Sequence, residues 1–147
     1  KDLVATSLQE PIIRRLVMTS SLTPLHVKCR NLYINRGVQD TRSFHCDGRS
    51  LKYKSFLFLT EVNSLAEGPY CYVKRSHRDR SSWKRSRRFN LENEIGLYEY
   101  SKLGGCEALP MFAKAGDMVI SSQRGAHRGL PQQPDAERAV LVNMYQR

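Results

Sequence analysis

The sequence has little that suggests a membrane protein or a disulfide-stabilised one. Its longest apolar runs, such as Phe56 to Leu59, are far shorter than the roughly 20 residues that a transmembrane helix needs. No signal peptide or transit segment is visible after Lys1. No Cys-x-x-Cys pair occurs, which argues against a zinc knuckle. The four cysteines are Cys29, Cys46, Cys71 and Cys106. They predict reduced, mostly buried thiols in a cytoplasmic protein.

Acidic residues are also scarce, with 14 Asp and Glu against 24 Lys and Arg, for a net charge of +10. Much of the excess lies in residues 74–88, where eight Lys and Arg accompany one acid, Asp79. Such a segment attracts phosphates or other anions, and we interpret it as a basic insertion or lid. A solvated loop that favours solubility is the alternative.

Hydrophobic periodicity predicts a single domain over residues 1–147, made of one helix and about eight short strands. The capping box from Ser7 to Glu10 predicts a helix over 7–19 that ends before Ser20 and packs outside a sheet. Period-two patterns predict the main strands. These strands are 25–35, 53–62, 70–73, 107–112, 118–121 and 138–145. The first is expected to have a break near Arg30, and the second to be covered on both faces. Short strands separated by turns favour an antiparallel sandwich or barrel.

Two short stretches carry the candidate chemistry. In the first, Ser43 to Gly48, strand-like alternation would place His45 and Asp47 side by side, with Cys46 turned away. A second imidazole, His127, occurs in the distant Gly-Ala-His-Arg-Gly stretch. Two histidines and one carboxylate on one face of a metal, with other positions open, are typical of non-haem Fe(II) oxygenases.

Arg138 begins the final predicted strand, whose residues Val140, Val142 and Met144 share its face. An arginine beside an apolar row is costly to bury unless it meets an anion. Its guanidinium matches a carboxylate through two parallel hydrogen bonds, so Arg138 is a candidate carboxylate-binding residue. A strand-end surface residue is the alternative.

Several motifs occur in an order that resembles the phytanoyl-CoA dioxygenase family of Fe(II)/2-oxoglutarate-dependent oxygenases. These motifs are His45 to Gly48, Glu67-Gly68-Pro69, Ser76-His77-Arg78, Ala115 to Ile120, His127-Arg128-Gly129 and Arg138. The resemblance covers about residues 25–147. It implies a mainly β double-stranded β-helix (a cupin-like jelly roll) with the N-terminal helix packed outside. Because the chain is short for the family, it also implies that some N-terminal structure is missing.

The resemblance also implies the roles of individual residues. His45, Asp47 and His127 would be the catalytic iron ligands. Arg138 would bind the distal carboxylate of 2-oxoglutarate, with Asn35 as a polar cosubstrate contact. Fe(II) would be the cofactor, with 2-oxoglutarate and O2 as cosubstrates. The activity would be hydroxylation of an unactivated C–H bond. Because Asp47 is a carboxylate, a halide ligand on the iron is not expected.

The sequence does not identify the substrate, and a small anionic one (a CoA ester or a phosphorylated metabolite) would suit the basic segment. Three departures from the family pattern bear on this: Cys46 between the two ligands, Lys74-Arg75 before Ser76, and Gly129 after the distal histidine. A nucleic-acid-binding module, with Trp83 stacking on a base, is the alternative function. An oxygenase acting on nucleic acid or protein, and a pseudo-enzyme, are further possibilities. We expect His26 and His77 to have structural roles.

Overall fold

The computed structural model describes residues 11–48, 50–78 and 107–147. In these ranges the chain forms one α-helix, α1 (Pro11–Ser21), seven strands and a short 3-10 helix, Ser76–Arg78. The strands are β1 (His26–Arg36), β2 (Lys52–Phe58), β3 (Tyr70–Val73), β4 (Ala108–Met111), β5 (Met118–Ser122), β6 (His127–Gly129) and β7 (Glu137–Gln146).

The strands form two antiparallel sheets, one of four strands in the order β1-β7-β2-β5 and one of three in the order β4-β3-β6. This arrangement confirms the predicted mainly β, cupin-like sandwich. Most predicted strands are present with ends shifted by one or two residues. The described residues contain seven strands rather than about eight, because His45 and Asp47 do not lie in a strand. His45 forms only an isolated bridge.

Helix α1 packs on the outer face of the four-stranded sheet, as the sequence predicts. Its buried residues, Ile13 and Val17, are one turn apart and contact a cluster that includes Leu25 and Tyr145. Burying each such side chain stabilises the fold by about 1.5–3 kcal/mol. The predicted C-terminus is wrong, since the helix continues through Ser21. The Ser21 hydroxyl oxygen lies 3.2 Å from the Met18 carbonyl and 2.7 Å from the Thr23 carbonyl, so it contacts the chain on both sides of the helix end.

The opposite face of the four-stranded sheet points into the sandwich. Phe58, Val140 and Val142 are buried there with Val62 and Ala113. Because side chains alternate along β2, Lys52, Lys54 and Phe56 share the face of Phe58. The inner face of β2 is therefore basic near the start of the strand and aromatic near its end.

Two of the predicted strands differ in detail. β1 has its register irregularity between Val27 and Cys29, not near Arg30, since Lys28 has no partner on β7. A bulge of this kind bends an edge strand. β2 ends at Phe58, and Leu59, predicted to be covered on both faces, is 40% exposed. Val62 instead pairs with Ala113 in a separate bridge.

The prediction of mostly buried thiols is only partly correct. Cys71 is fully buried, and burial raises the pKa of its thiol to about 12. The thiols of Cys29 and Cys46 are partly exposed. Cys29 is partly exposed because it lies on edge strand β1. No helix in the described ranges is both long and apolar enough to cross a membrane. Residues 7–10, Trp83, Cys106 and the basic segment beyond Arg78 lie outside the described residues.

Candidate metal centre

His45 and His127 are 82 positions apart in the sequence but are paired through their backbones. The His45 N–H donates to the His127 carbonyl at 3.0 Å, and the His127 N–H donates to the His45 carbonyl at 2.9 Å. The two rings therefore lie next to each other, with centroids 4.5 Å apart. Asp47 is held next to them, because its N–H donates to the Gln123 carbonyl at 3.0 Å.

His45 and Asp47 project to the same side, as predicted, although they do not lie in a strand. His45 and Asp47 face the sandwich interior, while Phe44 and Cys46 pack on the other side against Cys71. A locally extended backbone is enough to produce the alternation. The prediction of the side-chain directions is thus correct although the predicted strand is wrong.

One ligand atom from each of His45, Asp47 and His127 lies within 4.8 Å of the others. The Asp47 Oδ1 atom is 3.7 Å from His45 Nε2 and 3.8 Å from His127 Nε2. Neighbouring ligands of a metal with bonds of about 2.1 Å are separated by about 3 Å. Small side-chain rotations would close this difference, so the three residues fit a transition metal held by two nitrogens and one oxygen.

The Nδ1 atom of each imidazole is held by a backbone carbonyl. His45 Nδ1 is 2.8 Å from the Ser43 carbonyl, and His127 Nδ1 is 2.9 Å from the Gly125 carbonyl. A carbonyl only accepts, so each Nδ1 must carry the proton. In the neutral rings each Nε2 then keeps its lone pair and points it toward Asp47. This tautomer is the one that metal-binding histidines need.

Burial favours the neutral form of both rings. It lowers the pKa of His127 to about 4, against the weaker opposing effect of the hydrogen bond to Gly125. Burial also lowers the pKa of His45, and the charge of Arg42 adds to that shift. Both imidazoles are therefore ready to bind a cation at neutral pH.

The pKa of His127 predicts how the stability of the metal-free protein depends on pH. The folded value of about 4 lies below the value of about 6.5 expected when unfolded, so the unfolded chain binds more protons between these pH values. The contribution of His127 to the free energy of unfolding is complete above pH 6.5. It decreases by about 3 kcal/mol as the pH falls toward 4. Urea unfolding in a chelating buffer at several pH values should show this loss.

A His127→Gln variant should lose much of this pH dependence. His26→Gln is the control, since His26 is an exposed residue at the start of β1. If the two variants had the same slope of unfolding free energy against pH, the assignment of this effect to His127 would be wrong.

The loop that carries His127 packs closely against β3. The Ser76 hydroxyl donates to the Val73 carbonyl at 2.7 Å and accepts from the Ala126 N–H at 2.8 Å. A Cβ atom on Gly125 would lie 2.0 Å from the Tyr72 hydroxyl, so only glycine fits there. The Ser76-His77-Arg78 motif thus has a structural reason: its serine supports the loop before His127. His77 itself lies on the 3-10 helix and is not among the three converging residues.

Arg138 and Asn35 lie opposite each other on β7 and β1. Arg138 Nη2 donates to Asn35 Oδ1 at 3.3 Å, and Nη1 donates to the Gly68 carbonyl. Arg138 Nε is buried without a partner among the described residues. None of the described carboxylates forms an ion pair with Arg138, and burial lowers its pKa. A guanidinium in this position is suited to receive an anion.

The side chain of Arg138 lies beside β6, the strand that begins at His127. A Cβ on Gly129 would lie 3.7 Å from Arg138 Nη2. Gly129 is two residues from His127 along β6, which is about 7 Å in a strand. The missing side chain at position 129 leaves the space beside the guanidinium open.

Sequence reasoning missed two residues near the triad. Lys54 Nζ is 2.6 Å from Asp47 Oδ2. Tyr70 is buried, and its ring centroid is 5.8 Å from that of His127. The period-two pattern of β2 could have revealed Lys54, because it shares a face with Phe56 and Phe58. No local signal identifies Tyr70.

Among protein-family models and curated proteins, no match was found. Solved structures do match. AviO1 from Streptomyces viridochromogenes Tue57 is 16% identical over 95% of this chain and 59% of its own, with a TM-score of 0.68. HygX from Streptomyces hygroscopicus, with nickel and 2-oxoglutarate bound, is 15% identical over 96% of this chain and 67% of its own, with a TM-score of 0.65.

A third match is SnoK, a non-haem α-ketoglutarate-dependent carbocyclase from nogalamycin biosynthesis. It is 17% identical over 91% of this chain and 54% of its own, with a TM-score of 0.67. The chain has the fold of these three proteins. It spans about three fifths of the length of AviO1. Identities this low establish the fold alone.

Proposed function

We propose that this protein is an Fe(II)- and 2-oxoglutarate-dependent dioxygenase. The observation that carries the proposal is the convergence of two imidazole Nε2 atoms on one oxygen of Asp47, with both Nδ1 atoms bound to backbone carbonyls. His45, Asp47 and His127 would hold the iron. Two histidines and one carboxylate leave the remaining positions of an octahedral metal open. The similarity of the fold to HygX, which was crystallised with nickel and 2-oxoglutarate, supports this reading.

The net reaction proposed is hydroxylation of an unactivated C–H bond. Substrate, 2-oxoglutarate and O2 give hydroxylated substrate, succinate and CO2, so one oxygen atom of O2 enters each organic product. When bound, the metal supplies the redox chemistry that activates O2. Arg138 binds and orients the distal carboxylate of 2-oxoglutarate, and Asn35 holds the guanidinium in place.

The aromatic residues beside the triad would exclude water. Tyr70 lies between His127 and Phe56, with ring centroids 5.8 and 4.4 Å away. Its hydroxyl is bound to Ser121 at 2.9 Å, so the ring is fixed. Burial raises the pKa of Tyr70, against the weaker opposing effect of its hydrogen bonds to Ser121 and Gln123, which keeps the phenol neutral. A dry wall strengthens the electrostatic contacts inside the site.

An anaerobic titration with Fe(II) followed by 2-oxoglutarate tests the proposal. The chelate should give a weak visible charge-transfer band, and admission of air should yield succinate. A protein that binds neither the metal nor 2-oxoglutarate would refute the proposed function. Only after this step is screening for substrates informative.

We propose a small organic molecule as the substrate. One HygX structure contains hygromycin B, and SnoK is a carbocyclase from nogalamycin biosynthesis. We further propose that the substrate is anionic, such as a CoA ester or a phosphorylated metabolite. A cavity of about 690 Å³ supports this, lined by Ser50, Leu51, Lys52, Arg124, Gln146 and Arg147. Three of these described lining residues are cations and none is acidic.

Two backbone hydrogen bonds connect the lining of this cavity to Asp47 of the triad. The Asp47 N–H donates to the Gln123 carbonyl at 3.0 Å, and the Gln123 N–H donates to the Lys52 carbonyl at 2.8 Å. Lys52 and Arg124 therefore flank the residue that positions Asp47. An anionic group in the cavity would be within reach of both cations.

Neutralising the cavity should weaken anion binding in a salt-sensitive manner. For a Lys52→Met, Arg124→Met double variant we expect the dissociation constant of coenzyme A to rise about tenfold at low ionic strength, since two charge contacts are lost. The difference from the wild type should shrink at high salt. Isothermal titration measures both values.

Arg14→Met, on the exposed face of α1, is the control for net charge. Equal affinities for the wild type and the double variant would contradict the anionic-substrate proposal. The same titration with Arg85, Arg87 and Arg88 neutralised tests whether the basic segment acts as a lid over this cavity.

The chain is proposed to be one oxygenase domain of the phytanoyl-CoA dioxygenase family, with residues 74–88 as a basic insertion. The nucleic-acid-binding alternative depends on this segment, of which the structure describes only residues 74–78. There Lys74 Nζ lies 3.5 Å from the Glu107 carboxylate. No specific observation favours that alternative. Salt-dependent binding of DNA or RNA without iron uptake would support the nucleic-acid-binding alternative instead.

A further inference from the structure

The two oxygens of the Asp47 carboxylate have different surroundings. Oδ1 faces both imidazoles, at 3.7 and 3.8 Å from their Nε2 atoms. Oδ2 accepts a hydrogen bond from Lys54 Nζ at 2.6 Å. The side chains of Lys54 and Asp47 are 24% and 19% exposed, so the contact is largely shielded from water. A charge-assisted bond of this length in such surroundings holds a carboxylate firmly.

The fold keeps Lys54 in this position. On β2 it pairs with Ser121 of β5 on one side and Met144 of β7 on the other. It therefore lies on a central strand, and its side chain points to the interior face. An ammonium that is largely removed from water is costly without a partner. Asp47 is the partner that the structure provides.

The charge of Lys54 also acts on the carboxylate itself. The ammonium of Lys54 is a charged donor, and its hydrogen bond at 2.6 Å favours the carboxylate form of Asp47. This contact occupies Oδ2 and leaves Oδ1 facing the two imidazoles.

We propose that Lys54 is a positioning residue that presents Asp47 to the metal through Oδ1 alone. This inference rests on the proposed function. A carboxylate can bind a metal through one oxygen or through both. Through one oxygen, Asp47 and the two histidines would leave three positions of a six-coordinate metal for the cosubstrate and O2. Through both oxygens, they would leave only two.

Replacing Lys54 distinguishes its effect on metal binding from its effect on 2-oxoglutarate binding. Lys54→Met keeps the length of the side chain but removes the donor and the charge. Both oxygens of Asp47 can then reach the metal. We expect the metal to bind with a dissociation constant within about threefold of the wild type. The dissociation constant of 2-oxoglutarate for the metal-loaded protein should rise about tenfold or more, because the second oxygen of Asp47 would compete for a position that the cosubstrate needs.

Two further variants make the comparison specific. Lys54→Arg keeps a charged donor for Oδ2 and should restore much of the affinity for 2-oxoglutarate. Arg42→Met is the control for charge, because Arg42 is an exposed cation whose field reaches His45 without any contact to Asp47. It should leave the affinity for 2-oxoglutarate unchanged. Lys54→Leu, which also removes the donor and the charge, serves in place of Lys54→Met if that variant fails to fold.

The experiment uses the whole chain loaded anaerobically with Mn(II) or Co(II) and titrated calorimetrically with 2-oxoglutarate. The visible spectrum of the Co(II) form is a second readout, since its intensity depends on the number of ligands. Unchanged affinity for 2-oxoglutarate in Lys54→Met would overturn the proposal. Loss of metal binding in a folded Lys54→Met variant would also overturn it. If the wild type bound neither metal nor 2-oxoglutarate, the proposed function itself would fail instead.

Discussion

Alanine in place of Asp47 is expected to abolish metal-dependent formation of succinate from 2-oxoglutarate. The substitution removes the only anionic member of the triad and leaves Lys54 without the partner that it has at 2.6 Å. The repulsion between this unpaired ammonium and an incoming cation adds to the loss of a ligand. We expect a fall larger than the roughly 10–100-fold typical of residues that merely support a metal ligand. Succinate production measured with saturating Fe(II) gives the result.

The His127→Ala variant should have the same consequence, since His127 provides one of the two nitrogens. Glu61→Ala is the matched control, because Glu61 is an exposed acid outside the site. Circular dichroism verifies that each variant is folded. Succinate formation at the wild-type rate in Asp47→Ala or His127→Ala would show that the triad is not the metal site.

Replacing Arg138 should mainly raise the concentration of 2-oxoglutarate that the protein requires. Two charge-assisted hydrogen bonds of about 1.5 kcal/mol each would be lost, which corresponds to about a 100-fold weaker affinity. For Arg138→Met we therefore expect the KM for 2-oxoglutarate to rise by about this factor, with a smaller change in kcat. Initial rates at varied 2-oxoglutarate concentration separate the two parameters.

Arg138→Lys provides the comparison that identifies a carboxylate contact. Lysine keeps the charge but not the planar fork, so its KM should lie between those of the wild type and Arg138→Met. Asn35→Ala should have a smaller effect, because Asn35 accepts a single bond from Arg138 at 3.3 Å. An unchanged KM in Arg138→Met would mean that the cosubstrate binds elsewhere.

Sequence patterns were informative wherever one local rule was sufficient. Alternation along the chain placed His45 and Asp47 on one side and Cys46 on the other. The same rule placed Arg138 beside the apolar residues Val140 and Val142 on β7. These directions depend only on an extended backbone. They survive even where the strand itself does not form, as at His45.

Patterns were less informative where distant segments meet. Whether Lys54 reaches Asp47 depends on how β2 lies relative to the loop at 43–48, and sequence spacing does not contain this information. The same is true of Gly125, which must be glycine because the side chain of Tyr72 on β3 lies against it. The exact end of β2 was also not predictable. Phe56 to Leu59 is uniformly apolar, so nothing in the residues distinguishes the last paired position from the first unpaired one.

The reciprocal backbone pairing of His45 and His127 has a consequence for the order of events when the chain folds. It joins segments 82 positions apart, and such long-range contacts form late because closing a long loop costs entropy first. A newly made chain would thus offer an incoming ion no assembled set of ligands until β6 has docked. Iron capture would follow assembly of the sandwich instead of guiding it, and the rate of metal uptake during refolding would report on the last step of that assembly.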